Sequence, residues 1–211
     1  TGVAVTMTYE PTYTNNYIVQ FDGADYLTFK NMTFTATGTS YGRVFDFEDG
    51  SHYITLDNNV VNGISTTSTS DDLAVVHSMS GTENDYITIS NNEINNGSYG
   101  MCIYGSSMSN LELANIIENN IIQDFHYYGM CLYYFDSLLL SSNEIYAKST
   151  GGNSLQFGIE AGFCYNRSLV SKNKIRVNST SNNQGIYLSS FDGTLGNENL
   201  VINNFVSCHN S

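Results

Sequence analysis

Carboxylates are the first residues of this chain to which chemistry can be assigned. Asp71 and Asp72 are adjacent, Asp46, Glu48 and Asp49 follow Arg43 closely, and Glu160 interrupts the otherwise apolar Gly158-Ile159-Glu160-Ala161. Hydrolysis of a glycosidic bond needs two carboxyls facing each other across about 5 to 9.5 Å, so Asp46, Asp71, Asp72 and Glu160 are the catalytic candidates. Asp71-Asp72 supplies only one half of such a pair and equally suits a solvated loop ahead of a strand. Asp46, Glu48 and Asp49 are the residues a Ca²⁺ ion would use, but a hard cation takes six to eight oxygens, and Asp49 also reads as the turn residue of Asp49-Gly50, stacked on Asp22 of Asp22-Gly23. No metal or other cofactor is therefore expected as a resident of the chain.

A second set could bind rather than react. Tyr104, Tyr133 and Tyr187, with Glu160, fall at alternate positions of similar segments, so they share one outer face. Phenol rings stack on sugar faces while carboxylates accept bonds from sugar hydroxyls; stacked tyrosines also simply cover sheet surface. Cys102 and Cys131 sit in the repeated tripeptide Gly-Met-Cys. Adjacent strands about 4.8 Å apart bring such Cα atoms within disulfide range, yet parallel side chains from in-register strands fit that bond poorly, and free thiols are expected.

The elements that position these residues are written as a repeat. From Met32 onward, Asn59, Asn92, Asn120, Asn143, Asn173 and Asn204 recur at spacings of 27, 33, 28, 23, 30 and 31 residues. Each closes a phrase of alternating apolar residues, as in Ile54-Thr55-Leu56-Asp57-Asn58-Asn59-Val60-Val61 and Ile87-Thr88-Ile89-Ser90-Asn91-Asn92-Glu93-Ile94. Self-similarity at this period indicates a solenoid. An upstream segment, such as Gly100-Met101-Cys102-Ile103-Tyr104 or Leu73-Ala74-Val75-Val76, alternates like a short half-buried strand, and nothing shows a helical period. Asn at a fixed corner can donate to one neighbour and accept from another, so an Asn ladder is expected along the stack. Met32 would end it. Ile64 to Asp72 and Lys148 to Gln156 read as loops inserted after the corner, and Val3 to Thr8 alternates like a strand. The fold class is all-β, a single-stranded parallel β-helix of about seven coils forming one domain over residues 1–211, which reads as a segment of a longer solenoid.

Composition narrows the partners. The chain has 7 basic and 20 acidic residues, a formal charge of -13, and only Arg43, Arg167 and Arg176 as arginines. Such a surface repels phosphate backbones and anionic lipid, so neither nucleic acid nor membrane insertion is expected; glycans, other proteins and neighbouring coils remain. No Gly-rich phosphate loop is present. Scarce charge, abundant Asn, Thr and Tyr, and glycosylation-type tripeptides beginning at Asn31, Asn96, Asn166 and Asn178 suit an extracellular or cell-surface location.

The repeated Asn-Asn-x-apolar corner, with Gly-apolar-x-apolar before it, resembles the right-handed parallel β-helix proteins of the pectate-lyase-like superfamily over essentially the whole chain. The resemblance implies a right-handed fold and leaves function open among polysaccharide lyases, glycoside hydrolases, phage tail spikes, adhesins and surface proteins. Of the motifs of the pectin-cleaving hydrolases of that fold, Asn-x-Asp, Asp-Asp, Gly-His-Gly and Arg-x-Lys, this chain has only Asp71-Asp72. None of His52, His77, His126 and His209 is flanked by glycine on both sides, and Lys174-Ile175-Arg176 reverses the basic pair. The expectation is a non-catalytic stalk or adhesin with polysaccharide on Tyr104, Tyr133, Glu160 and Tyr187. The alternatives are a lyase or glycoside hydrolase using the acidic candidates, and a module that self-associates through open coil ends.

Overall fold

The computed structural model describes residues 5–148, 155–180 and 182–210 of the chain. Val3, Ala4 and most of the loop expected between Lys148 and Gln156 lie outside them. The described strands form three parallel sheets, and successive strands of each sheet come from successive coils of a right-handed solenoid of about seven turns. The approach sheet holds the strands that lead into each Asn corner, from Thr28–Lys30 through Thr55–Asp57 to Leu200–Ile202. The departure sheet follows the corner, from Val5–Tyr9 and Met32–Ala36 to Phe205–Asn210. The third, here the groove sheet, runs through Val19–Asp22, Phe45–Glu48, Val76–Ser78, Tyr99–Tyr104, Tyr128–Asp136, Leu155–Tyr165 and Asn182–Asp192.

The Asn-Asn pair makes the corner because its two residues do different work. Asn31, Asn58, Asn91, Asn119 and Asn203, with Ser142 and Lys172 in the same place, have φ between 53° and 59°, a left-handed conformation that Asn tolerates better than most residues. The second Asn turns inward. Asn92 donates from its backbone N and from Nδ2 to Oδ1 of Asn120 at 2.9 and 3.1 Å, and Asn120 does the same to Asn143 at 3.0 and 3.0 Å. Nδ2 of Asn120 also donates to the carbonyl of Ile89 at 2.8 Å. The ladder continues from Asn59 to Asn204, and at its N-terminal side Met32 contributes only its backbone N–H to Oδ1 of Asn59.

Inside the coils lie Phe21, Phe34, Phe45 and Phe47 in the early turns, and Ile, Leu and Met residues further on, all nearly inaccessible. The glycine of Gly-Met-Cys has a packing cause. A Cβ on Gly100, Gly129 or Gly158 would lie 2.3 to 2.5 Å from Cγ2 of Ile122, Ile145 or Ile175, the isoleucines that follow the Asn corners. Register passes over the glycine: Tyr99 pairs Tyr128, Met101 pairs Met130 and Cys102 pairs Cys131.

Two expectations shift by a frame. The strand expected over Leu73 to Val76 is Val76–Ser78, preceded by a short 3-10 turn, Asp71–Leu73, capped by Ser70. Lacking the marker glycine, this coil offers an uninterrupted Leu-Ala-Val-Val run in which the strand start is not written. Asp49 does not stack on Asp22; Asp22 pairs Glu48, and Asp49 is an extra turn residue at φ 48°.

Candidate functional site

Alternation in the groove sheet sends Gln20, Asp46, His77, Cys102, Cys131, Glu160 and Tyr187 outward in one continuous register column. On one flank of that column Tyr99, Tyr128 and Phe157 stack with centroids 5.0 and 4.3 Å apart and planes within 6°. On the other flank Tyr104 and Tyr133 stack at 5.0 Å and 4°. The outer face is thus a groove with aromatic walls and a polar floor. The floor is deep: Asp46, His77, Cys102 and Cys131 each expose 2 or 3% of their surface.

At one end the groove opens into a cleft of about 410 Å³ lined by Arg43, Thr69, Ser70, Asp71, His77, Met79, Tyr99, Cys102 and Tyr104, among others. His77 Nδ1 lies 2.6 Å from Asp46 Oδ1, and its Nε2 lies 3.7 Å from Asp71 Oδ2. Arg43 approaches Asp46 at 3.7 Å, Asp71 at 3.9 Å and Asp72 at 3.7 Å, while its Nε donates to the Asp71 carbonyl at 3.3 Å. Burial pushes the His77 pKa down, but hydrogen bonds with Asp46 and Asp71 outweigh burial and Arg43 repulsion, and the net direction is up. Asp71 is correspondingly lowered, first by its hydrogen bond with His77, although burial opposes this. The geometry explains the sign: a neutral imidazole donating to Asp46 would turn a lone pair toward the Asp71 carboxylate, so both neighbours favour the imidazolium.

Asp46, Asp71 and Asp72, the candidates scattered in sequence, are therefore gathered around Arg43 and His77. Glu160 is not with them. It stands four strands along the column from Asp46, roughly 19 Å at about 4.8 Å per strand, too far to share a glycosidic bond with it. Glu160 instead accepts a hydrogen bond from Tyr133. Tyr187 follows Glu160 in the floor column, whereas the Tyr104–Tyr133 wall continues into Gly162 and Ser189. The expected tyrosine stripe is thus two columns. Its rings overlap one another, so the wall presents ring edges and hydroxyls rather than free faces.

Comparison with known proteins agrees with this architecture. A family model described as right handed beta helix region matches residues 78–211, well over half the chain. The chain belongs to that right-handed β-helix family. No curated protein and no solved structure matches. Membership of the β-helix family accounts for the coils and the ladder, and it leaves the groove to be read from its own residues. No helix among the described residues is long and apolar enough to cross a membrane. Asp46 is engaged with His77 and Arg43 and also acts on Glu48, whose pKa is raised by burial and by Asp46, while Asp49 sits in its turn; among the described residues no group of three such side chains is arranged to hold a metal ion.

Sequence reasoning passed over His77. Its only signal is positional, since Val76-His77-Ser78 must be set against Met101-Cys102-Ile103, and that frame is not visible without the pairing. It also missed a second corner network, in which Glu112 is fully buried, accepts from Asn84 N and Nδ2 at 3.3 Å each, and accepts from Asn115 Nδ2 at 2.8 Å.

Proposed function

We propose that this chain is a non-catalytic β-helix module of the cell surface or extracellular space that holds a polysaccharide along the groove sheet. The single observation that carries this reading is the groove itself, with Tyr104 and Tyr133 on one wall, Tyr99 and Tyr128 on the other, and carboxylates on the floor and rim. Such a surface offers a chain of sugar hydroxyls both acceptors and phenol hydroxyls at the coil spacing. The only arginine at the cleft is already shared among three carboxylates, so neutral glycans fit better than polyanions. Calorimetry against a panel of neutral and acidic polysaccharides is the test. Binding of a neutral glycan, weakened at least tenfold in the Tyr104→Ala/Tyr133→Ala double variant, is expected. Binding unaffected by that variant would remove the groove from the reading.

A second reading, a carbohydrate-active enzyme, draws support from Asp46, His77 and Asp71. A buried, hydrogen-bonded histidine at the end of a cleft is the kind of group that transfers protons. Incubation of the same panel, with and without Ca²⁺, and measurement of new reducing ends or unsaturated products separates the two. Cleavage abolished in His77→Gln and in Asp71→Asn would replace the first reading by the second.

A further inference from the structure

The groove floor carries a pair of thiols to which the glycan reading gives no work. Cys102 and Cys131 are free, pair in register on adjacent parallel strands, and point the same way into the groove. The Tyr104 hydroxyl lies 3.4 Å from the Cys131 sulfur, and Cys102 lines the open cleft. A disulfide needs its two sulfurs about 2.05 Å apart and its Cβ atoms near 3.8 Å, whereas parallel side chains on adjacent strands stand about 4.8 Å apart. That wider spacing matches a different bridge. Two metal–sulfur bonds of about 2.3 Å laid end to end span roughly 4.6 Å.

We propose that Cys102 and Cys131 clamp one soft univalent cation, Cu(I) or its analogue Ag(I), in linear two-sulfur coordination. Soft thiolates select such ions. Among the described residues no group of three or more His, Cys, Asp or Glu side chains is arranged to hold a metal ion, so the floor does not offer the fuller cage that zinc or calcium takes. A cysteine binds metal as its thiolate, so the ion must displace the thiol proton of each ligand; at Cys102 the neighbouring Cys131 and burial favour the protonated form. Binding therefore exchanges two S–H protons for the ion, leaving a bis-thiolate complex of charge minus one. The Tyr104 hydroxyl is placed to donate to the Cys131 thiolate, while at Cys102 the Asp71 carboxylate opposes the new charge and Arg43 offsets part of that opposition.

Titration of the reduced full chain with Ag(I), with proton release followed in weak buffer, tests this. One tight equivalent releasing two protons is expected. Cys102→Ser or Cys131→Ser should lose more than the roughly 10–100-fold that removal of an outer partner costs a metal site, while the Cys164→Ser/Cys208→Ser variant binds as before. Silver-edge X-ray absorption on the unaltered protein should find two sulfur neighbours, which keeps the test independent of how the variants fold. Unchanged affinity in Cys102→Ser, loss in Cys164→Ser/Cys208→Ser, or three or more sulfur neighbours would overturn the proposal. Because the probe is a metal ion and no sugar is present, failure here is distinguishable from failure of the glycan reading.

Discussion

Glu112 and His77 are the side chains whose protonation matters most to the fold and to the cleft. Burial pushes Glu112 up to about 8, against the lowering effect of its Asn84 and Asn115 bonds. A carboxyl raised on folding contributes stability fully below its ordinary value, 4.5 here, and loses it as pH climbs toward the raised value. Melting temperature should therefore fall between about pH 5 and pH 8. Glu112→Gln should flatten that slope while lowering stability overall, because its amide nitrogen would face Nδ2 of Asn115. His77 carries the same sign in a later window: its share is complete below 6.5 and is lost as pH rises through its raised pKa. NMR titration of the imidazole should show it protonated at pH 6.5 or above, with Asp71→Asn moving its pKa down; no change in that variant would break the pairing between them. Neither residue announces itself in the sequence. Each takes one partner from its own coil, Asn115 for Glu112 and Asp71 for His77, and another from a neighbouring coil, Asn84 and Asp46, and that second partner follows only from the pairing between coils.

The coil is the next scale, and two positions in it admit no substitute. Asn120 is fully buried and links three successive turns, accepting from Asn92 and donating to Asn143 and to the Ile89 carbonyl. Asn120→Leu strands the Asn92 amide and that carbonyl at about 1–3 kcal/mol per unmade buried bond, so a loss on the order of 3 kcal/mol should appear in urea unfolding; a change under about 1 kcal/mol would show the ladder to be decorative. Gly129 fails for a different reason. A Cβ there would meet Ile145 Cγ2 at 2.5 Å and the Gly158 carbonyl oxygen at 2.6 Å. Gly129→Ala should cost about 3 kcal/mol or more, at the upper end for overpacking, and Ile145→Val in the same chain should recover only part, because the carbonyl contact is with backbone. Both positions are legible in the sequence as repeated letters. The reason for the glycine is not, since it lies in an isoleucine of the departure sheet.

Across the whole molecule each coil touches mainly its two neighbours, so stability is distributed along one axis. Among the described residues the strand Val5–Tyr9 is exposed along its length and pairs with Met32–Ala36 alone, whereas Tyr128–Asp136 is paired on both sides. Hydrogen exchange should be fastest in the former and slowest in the strands from Tyr99 to Tyr165; uniform protection would mean that the coils open as one unit. The sequence by itself determined the all-β solenoid, its Asn corners and its right-handed β-helix family. Those are properties of a repeating unit, and each copy carries its own evidence. Only the tertiary structure decided that Asp46, His77 and Asp71 meet at one cleft, that Glu160 stands apart from them, and that the tyrosines form two columns. Those relations depend on which residue of one coil lies over which residue of the next. Coil lengths from 23 to 33 residues and an extra turn residue such as Asp49 shift that register, so lateral neighbours follow from hydrogen-bonded pairing between coils and not from spacing along the chain.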